Sequence, residues 1–527
     1  MKKTNIIKKA LAVIGAASVM ILAAGCGSKG MVVAVSTLPD SLNPVLEQNT
    51  SGLNASELLF DGLTNFEVDG QTGNLYTELA LAEEIVQDPG DKKTYTITLR
   101  DVSWHDSTPV TADDVVYSFN AYTLEENNSP KRDYINSFIE SCSAIDDRTV
   151  EIVFRNPIPE FRAYPVLTFK IVPCRYEGHT MNVNMREGEV ERKFATSPLG
   201  TGPFKMDKWD IGNQIIFNAN GLYFKTVPRA ANLTMKRVID PIVRMNELRK
   251  GRINVVLETN PVDRANVKKI KEIDVNSFMP YAFYSVDINT ALFPKVQARQ
   301  AMAMALDRQN LVPGVTDSED GAVLNYGPYP SNIFQINCPE YFDEPLPAVL
   351  PYDVGAAKRL AKSGEITGQN AILIYPDSMG DFGKMMAEGV AKQLGEIGLS
   401  VEVKRTGDQV FNRMVYKEKS YELALIYHDG FDNVYSNMSS LYSTKGAENI
   451  TGLADKDLDK LFKNLDKEVV MKNWIELVLK TNEKICELSP SLYLCSLQKD
   501  VYSKGLDNVL IATDNPFLSV EEWKFKN

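Results

Sequence analysis

Histidine is the scarcest chemistry-bearing residue here, with three in 527 positions: His105, His179 and His428. None lies in H-E-x-x-H and none neighbours another, so a helix-borne zinc site has no ligands to build it. The chain also lacks a G-x-S-x-G elbow, and Gly383-Lys384 runs into Met385 rather than the Ser or Thr of a phosphate-binding loop. No C-x-x-C occurs, which removes the zinc-ribbon and thioredoxin readings. Lys and Arg total 57 against 69 Asp and Glu, a formal charge of −12, and no DNA- or RNA-binding motif appears. Nucleic acid is therefore excluded as a partner, because phosphate backbones need clustered cations. Gly and Pro are too few for a collagenous or low-complexity chain, and 22 Phe, 22 Tyr and 4 Trp are too many for a disordered one.

One long apolar run exists, at the start. Lys2, Lys3, Lys8 and Lys9 precede Ala10–Ala24, in which Ser18 is the one polar residue. The run is shorter than the roughly 20 residues a membrane-spanning helix needs and has the flanks of a secretory signal. It ends Leu22-Ala-Ala-Gly-Cys26, which resembles a bacterial lipoprotein box with Cys26 lipidated as the new N-terminus. Cleavage there leaves 53 basic and 69 acidic groups, net −16, in 502 residues. The expectation is an acidic globule tethered by lipid to the outer face of the membrane. Cys142, Cys174, Cys338, Cys486 and Cys495 then remain; the number is odd and no pairing can be deduced.

A length of about 150 residues per domain predicts three to four units. Met31–Val35 reads as a buried strand, and 95–99 and 148–154 alternate as half-buried ones. Thr111-Ala-Asp-Asp114 has the pattern of a capping box opening a helix over 112–124. Strands are expected at 214–218 and 254–257, and a helix at 297–307. Asp353 can cap a helix ending near Gly364. Met386, Val390, Leu394 and Ile397 mark one helix face, closed by Gly398, and 399–403 and 421–427 read as strands. Strand–helix–strand units of this kind favour a doubly wound α/β lobe.

The pairs Asp113-Asp114 and Asp146-Asp147 suit caps and turns better than acid/base dyads. Ser496-Leu-Gln-Lys499 matches the two fixed positions of S-x-x-K, but its S-D-N and K-T-G companions are missing. A secreted hydrolase therefore remains only as an outside reading.

Several segments occur together and in order: Pro39-Asp-Ser-Leu-Asn-Pro44, Leu59-Phe-Asp-Gly-Leu-Thr64, Tyr95-Thr-Ile-Thr-Leu-Arg100, Val102-Ser-Trp104, Pro109-Val-Thr-Ala-Asp-Asp-Val115, Gly200-Thr-Gly-Pro-Phe204, Gly251-Arg-Ile-Asn254, Arg299-Gln-Ala301 and Ala305-Leu-Asp-Arg308. In this the chain resembles the extracellular solute-binding proteins of ABC importers, family 5, the oligopeptide, dipeptide and nickel-binding group. It departs from the family at Ser107, where Gly is usual, and at Asn254, where Asp is usual.

The resemblance implies an α/β fold of the periplasmic-binding-protein type II: two hinged lobes, one with an extra subdomain. The expected division is a signal at 1–25, a lipidated tether at 26–30, a first-lobe core at 31–72, 195–284 and 499–527, an extra subdomain at 73–194, and a second lobe at 285–498. The crossovers between lobes are expected near 282–287 and 494–500.

The resemblance also implies a monomeric, non-enzymatic receptor without a cofactor, delivering peptides to an ABC permease and its ATPase. The family holds a peptide's ammonium on an acidic residue that follows a Trp. Here Asp429 is the best match and Asp432 the second, with a Tyr or Phe of this stretch, Tyr427 or Phe431, as the aromatic wall in place of the missing Trp. No Arg stands near Ile374-Tyr375-Pro376 to receive the carboxylate of a strict dipeptide. The turn Asn49, Thr50, Ser51 and Gly52 is expected to approach the ligand backbone, with Gly52 leaving room for it. His428, beside the anchor, motivates a metal-chelate ligand such as nickel as the alternative.

Overall fold

The computed structural model describes residues 30–70, 75–259, 264–316, 321–330, 348–429 and 434–526. Cys26, Cys338, Phe431, Asp432 and the whole predicted signal lie outside them. Among the described residues Cys142, Cys174, Cys486 and Cys495 are free thiols.

Two large sheets organise the chain. The first has seven strands in the order Phe204–Asp210, Gln214–Ala219, Asn232–Arg237, Met31–Val35, Val255–Val256, Lys499–Ser503 and Asp274–Phe278. Met31–Val35 is central, paired in parallel with Asn232–Arg237 and with Val255–Val256. A strand covered on both sides must be apolar throughout, which explains the run Met-Val-Val-Ala-Val. Asn254 fastens it: its Oδ1 accepts from the Val32 amide at 2.9 Å and its Nδ2 donates to the Lys504 carbonyl at 3.4 Å.

The second sheet has six strands in the order Ala322–Leu324, Ser491–Leu497, Phe283–Ile288, Leu423–His428, Asn370–Pro376 and Ser400–Thr406. Asn370–Pro376, helix Gly380–Glu396 and Ser400–Thr406 form a parallel crossover unit. Met386, Val390 and Leu394 are the buried face of that helix, and Gly398 leaves it at φ +88°. Asp353 caps the preceding helix, Val354–Ser363, accepting from the Ala356 amide at 2.8 Å. Buried Arg299 and Arg308 stitch this lobe. Arg299 donates to the Leu488 and Phe293 carbonyls at 3.0 and 2.7 Å, and Arg308 to the Tyr493 carbonyl at 2.5 Å.

A four-stranded antiparallel sheet, in the order Ala82–Gln87, Thr94–Leu99, Thr149–Phe154 and Ile139–Asp146, extends the first lobe and shares its core. The predicted capping box opens helix Ala112–Thr123, where the Asp114 carboxylate accepts from the Thr111 amide at 2.8 Å.

The sheets are joined by one antiparallel ribbon. Phe278 pairs with Lys499 in the first sheet, and Tyr284 with Cys495 in the second. The chain thus passes between lobes at 279–282 and again at Gln498. Most of the predicted windows, 282–287 and 494–500, is core strand, because an apolar strand entering a lobe has the same composition as the crossover that feeds it.

The Gly200-Thr-Gly-Pro-Phe204 motif has a packing reason. A Cβ on Gly200 would meet the Leu59 carbonyl oxygen at 1.8 Å, and the Gly202 amide donates to that oxygen at 2.9 Å. Thr201 donates to buried Asp61 at 2.8 Å, which also accepts from Asn65 at 2.8 Å and Tyr223 at 2.9 Å. The clash at Gly200 is with backbone, which cannot rotate away. Gly200→Ala is expected to destabilise the protein by about 3 kcal/mol, read as a lower denaturation midpoint in urea.

Candidate ligand site at the lobe junction

Strand Leu423–His428 ends at the ribbon, and successive side chains leave it on opposite faces. Tyr427 turns toward the junction. Its ring lies 4.9 Å from that of Tyr284, which in turn lies 4.9 Å from Phe382. The Lys499 ammonium sits 5.5 Å from the Tyr427 ring centroid, within cation–π range. The Tyr427 hydroxyl has no hydrogen-bond partner among the described residues. Burial, and after it the Asp514 and Asp429 charges, push its pKa upward, so it is a neutral donor.

Asp429 follows directly. Part of its surface is open, yet enough protein crowds the carboxyl for desolvation to raise its pKa. The Asp514 charge adds to the rise, and Lys499 opposes it. Lys499 is itself engaged by Asp514 at 2.5 Å, and Asn54 of helix Thr50–Leu59 donates to the Asp514 carbonyl at 3.5 Å. Residues remote in sequence are thus gathered around Asp429: an aromatic wall, a second carboxylate and one lysine. Such a place can take an ammonium ion, since Asp429 and Asp514 bring two negative charges against the single Lys499.

The other sequence candidates fall elsewhere. His428 is not in the loop. It is the last residue of the strand and points into the lobe, 7% exposed, with Nε2 3.1 Å from Ser285 Oγ and 3.3 Å from Asp287 Oδ2. Period-two alternation after Tyr427 was the signal for this. Among the described residues no three His, Cys, Asp or Glu side chains form a metal cluster.

Asn49 is the N-cap of helix Thr50–Leu59, accepting from the Ser51 amide at 2.8 Å. Thr50 is exposed and Ser51 half-buried. Gly52 faces protein rather than open cleft: a Cβ there would lie 2.3 Å from Glu47 Cγ. Glu47 is held in place by the Asn49 and Ser41 amides at 2.6 and 2.9 Å, so close packing at this turn is what requires glycine. Ser496, of the S-x-x-K match, is 0% exposed on a core strand while Lys499 pairs with Asp514, which leaves no accessible nucleophile. Lys499, Asp514, Tyr284 and Phe382 were not singled out from the sequence as ligand-site residues.

Residues 77–450 match the family described as bacterial extracellular solute-binding proteins, family 5. The chain belongs to that family. It is 23% identical over 483 residues to the oligopeptide-binding protein OppA of Bacillus subtilis, covering 86% of this chain and 85% of that one. It is 27% identical to the dipeptide-binding protein of Escherichia coli over 335 residues, spanning 60% of each. The fold matches the substrate-binding protein CtaP of Listeria monocytogenes with TM-score 0.81 at 22% identity, covering 95% of this chain and all of that one. It also matches NikZ of Campylobacter jejuni, solved with Ni(L-His), with TM-score 0.74 at 19% identity, covering 94% of this chain and all of that one. The fold is therefore the two-lobed, type II binding-protein fold.

His428→Ala removes a partner from the buried Asp287 carboxylate, which keeps Ser285 at 2.6 Å. It is expected to cost about 2–4 kcal/mol of stability by chemical denaturation. Added nickel ion is expected to bind the variant and the parent alike.

Proposed function

We propose that this member of the family is the extracytoplasmic receptor of an ABC importer and that its ligands are peptides, anchored through the α-ammonium on Asp429. The single observation that carries this is the Asp429 site: a crowded carboxylate beside Asp514, walled by Tyr427 and Tyr284 at the junction of the lobes. The oligopeptide- and dipeptide-binding names of its relatives support it. An extended peptide presents an amide and a carbonyl at each residue, and cleft backbone can pair with these while selecting little among side chains. The Tyr427 hydroxyl, buried and without a hydrogen-bond partner among the described residues, is a donor that such a carbonyl would satisfy.

The same reading places the protein as a monomer on the outer face of the cell membrane. It is held there by lipid on Cys26 and passes its cargo to a permease and its ATPase. No described helix is long and apolar enough to cross a membrane. Metal chelates lose the residue that motivated them, since His428 is engaged by Asp287.

Thermal unfolding of the purified protein with mixed peptide pools and with nickel–histidine separates the two ligands, because a ligand that binds the folded state raises the melting point. Peptides alone are expected to raise it; a rise with nickel–histidine alone overturns the peptide reading. Asp429→Ala is expected to weaken peptide binding by about 2–4 kcal/mol by calorimetry.

The pH dependence has a definite sign. An ammonium binds the ionised carboxylate, so affinity is lost as falling pH protonates Asp429. Because its pKa is raised above the ordinary 3.8, that loss starts at a higher pH than for an ordinary aspartate. In Asp429→Asn the weaker affinity is expected to lose this pH dependence.

A further inference from the structure

The ribbon is not the only bond between the lobes. Helix Glu160–Val166 belongs to the first lobe, where Thr64 Oγ1 donates to the Tyr164 carbonyl at 2.7 Å and the Thr64 amide to the Leu167 carbonyl at 3.4 Å. Arg162 leaves this helix and reaches the end of helix Lys456–Lys467 in the second lobe. There its Nη1 donates to the carbonyls of Leu465, Asp466 and Glu468 at 3.2, 3.4 and 3.4 Å. Its Nη2 lies 3.9 Å from the Asp466 carboxylate, which also accepts from Asn156 Nδ2 at 3.0 Å. Around this contact Phe161 meets Trp474 edge-on at 5.9 Å. Phe66, Val68 and Phe161 pack against the cluster that holds Leu458, Phe462, Leu465 and Trp474.

The last carbonyls of a helix have no partner of their own and carry the negative end of its dipole. A guanidinium fork suits them, and here it comes from the opposite lobe. The Arg162 side chain is 6% exposed with the lobes together. Separating the lobes returns the guanidinium and the carbonyls to water, where both are well solvated. The net preference of the polar part of the contact is therefore modest.

We propose that Arg162 is a reversible clasp between the lobes: by capping helix Lys456–Lys467 across the lobe boundary it biases the pair toward closure. This does not depend on what the ligand is, so it stands or falls separately from the peptide reading.

The test uses the full chain, stripped of ligand by unfolding and refolding, as parent, Arg162→Ala, Arg162→Met and Arg162→Lys. Two readouts follow opening: the radius of gyration by X-ray scattering, and the emission of Trp474, isolated by subtracting Trp474→Phe counterparts. Trp474 is 7% exposed beneath Phe161, so opening wets it. Arg162→Ala is expected to enlarge the radius and shift Trp474 emission to the red. Arg162→Lys should do so less, since its ammonium keeps donors for the carbonyls but has no second nitrogen for the Asp466 carboxylate. If Arg162→Ala does not fold, Arg162→Met carries the test, because its apolar chain fills the same space and offers the carbonyls no donor. Unchanged radius and emission in the folded variants, with or without a lower melting temperature, would make Arg162 a packing residue and overturn the clasp.

Discussion

One antiparallel ribbon carries the whole arrangement. Asp274–Phe278 and Lys499–Ser503 are hydrogen-bonded neighbours in the first sheet, and Phe283–Ile288 and Ser491–Leu497 in the second. The two passages between lobes are thus side by side, not at opposite rims. Two adjacent strand connections resist shear and stretching while leaving a bend between the sheets free, which is the mechanics of a hinge. The ribbon also explains where the candidate site lies. Lys499 is the first residue of its strand after the passage, and Tyr427 is the last residue but one of the strand that pairs with Phe283–Ile288. Groups at the axis move least when the lobes turn, so an anchor there is already assembled before the rest of the cleft closes.

Charge is divided between two kinds of work. Among the described residues, four buried ionic groups inside the lobes are met: Asp61 by Thr201, Asn65 and Tyr223; Asp287 by Ser285 and His428; Arg299 and Arg308 by main-chain carbonyls. These groups are not available to a ligand, because withdrawing any of them would leave its partner buried and unpaired. At the junction the balance is left open. Asp429 is crowded enough to feel desolvation and stands close enough to Asp514 to be raised by its charge, while Lys499 is already taken by Asp514. That contrast, rather than the number of acids, is what singles out Asp429.

The local elements were legible in the sequence because each rests on a local rule. Asp353 before an amphipathic run, Met386-Val390-Leu394 on one face, and Gly398 where φ is positive all depend on residues within a few positions of one another. The uniform apolar run at Met31–Val35 likewise announced a strand covered on both faces. Of the candidate site, Tyr427 and Asp429 could be named from the sequence. Its other members, Lys499, Asp514 and Asn54, come from distant segments and meet only once both sheets are built. His428 was misplaced because a His-Asp pair before a glycine reads as a loop, whereas the strand runs one residue further and turns the imidazole inward. Gly52 was given a ligand to accommodate, and the structure gives it Glu47.

Closure can now be put as a balance between two ends of one lever. At the axis, Asp429, Tyr427 and Lys499 stand beside the ribbon, where a change of lobe angle moves groups least. In the proposed clasp, Arg162 meets Leu465, Asp466 and Glu468 across the lobe boundary and would release them as the lobes part. A ligand shifts the lobes only by the difference in its affinity for the open and closed forms. Moving an equilibrium from 1:99 to 99:1 takes about 5.5 kcal/mol of such difference. Any bias from the clasp reduces what the ligand must supply and raises apparent affinity for every ligand alike. Discrimination is thereby left to the groups at the axis. A receptor for many related molecules gains from that separation, since the contact that sets overall affinity touches no ligand.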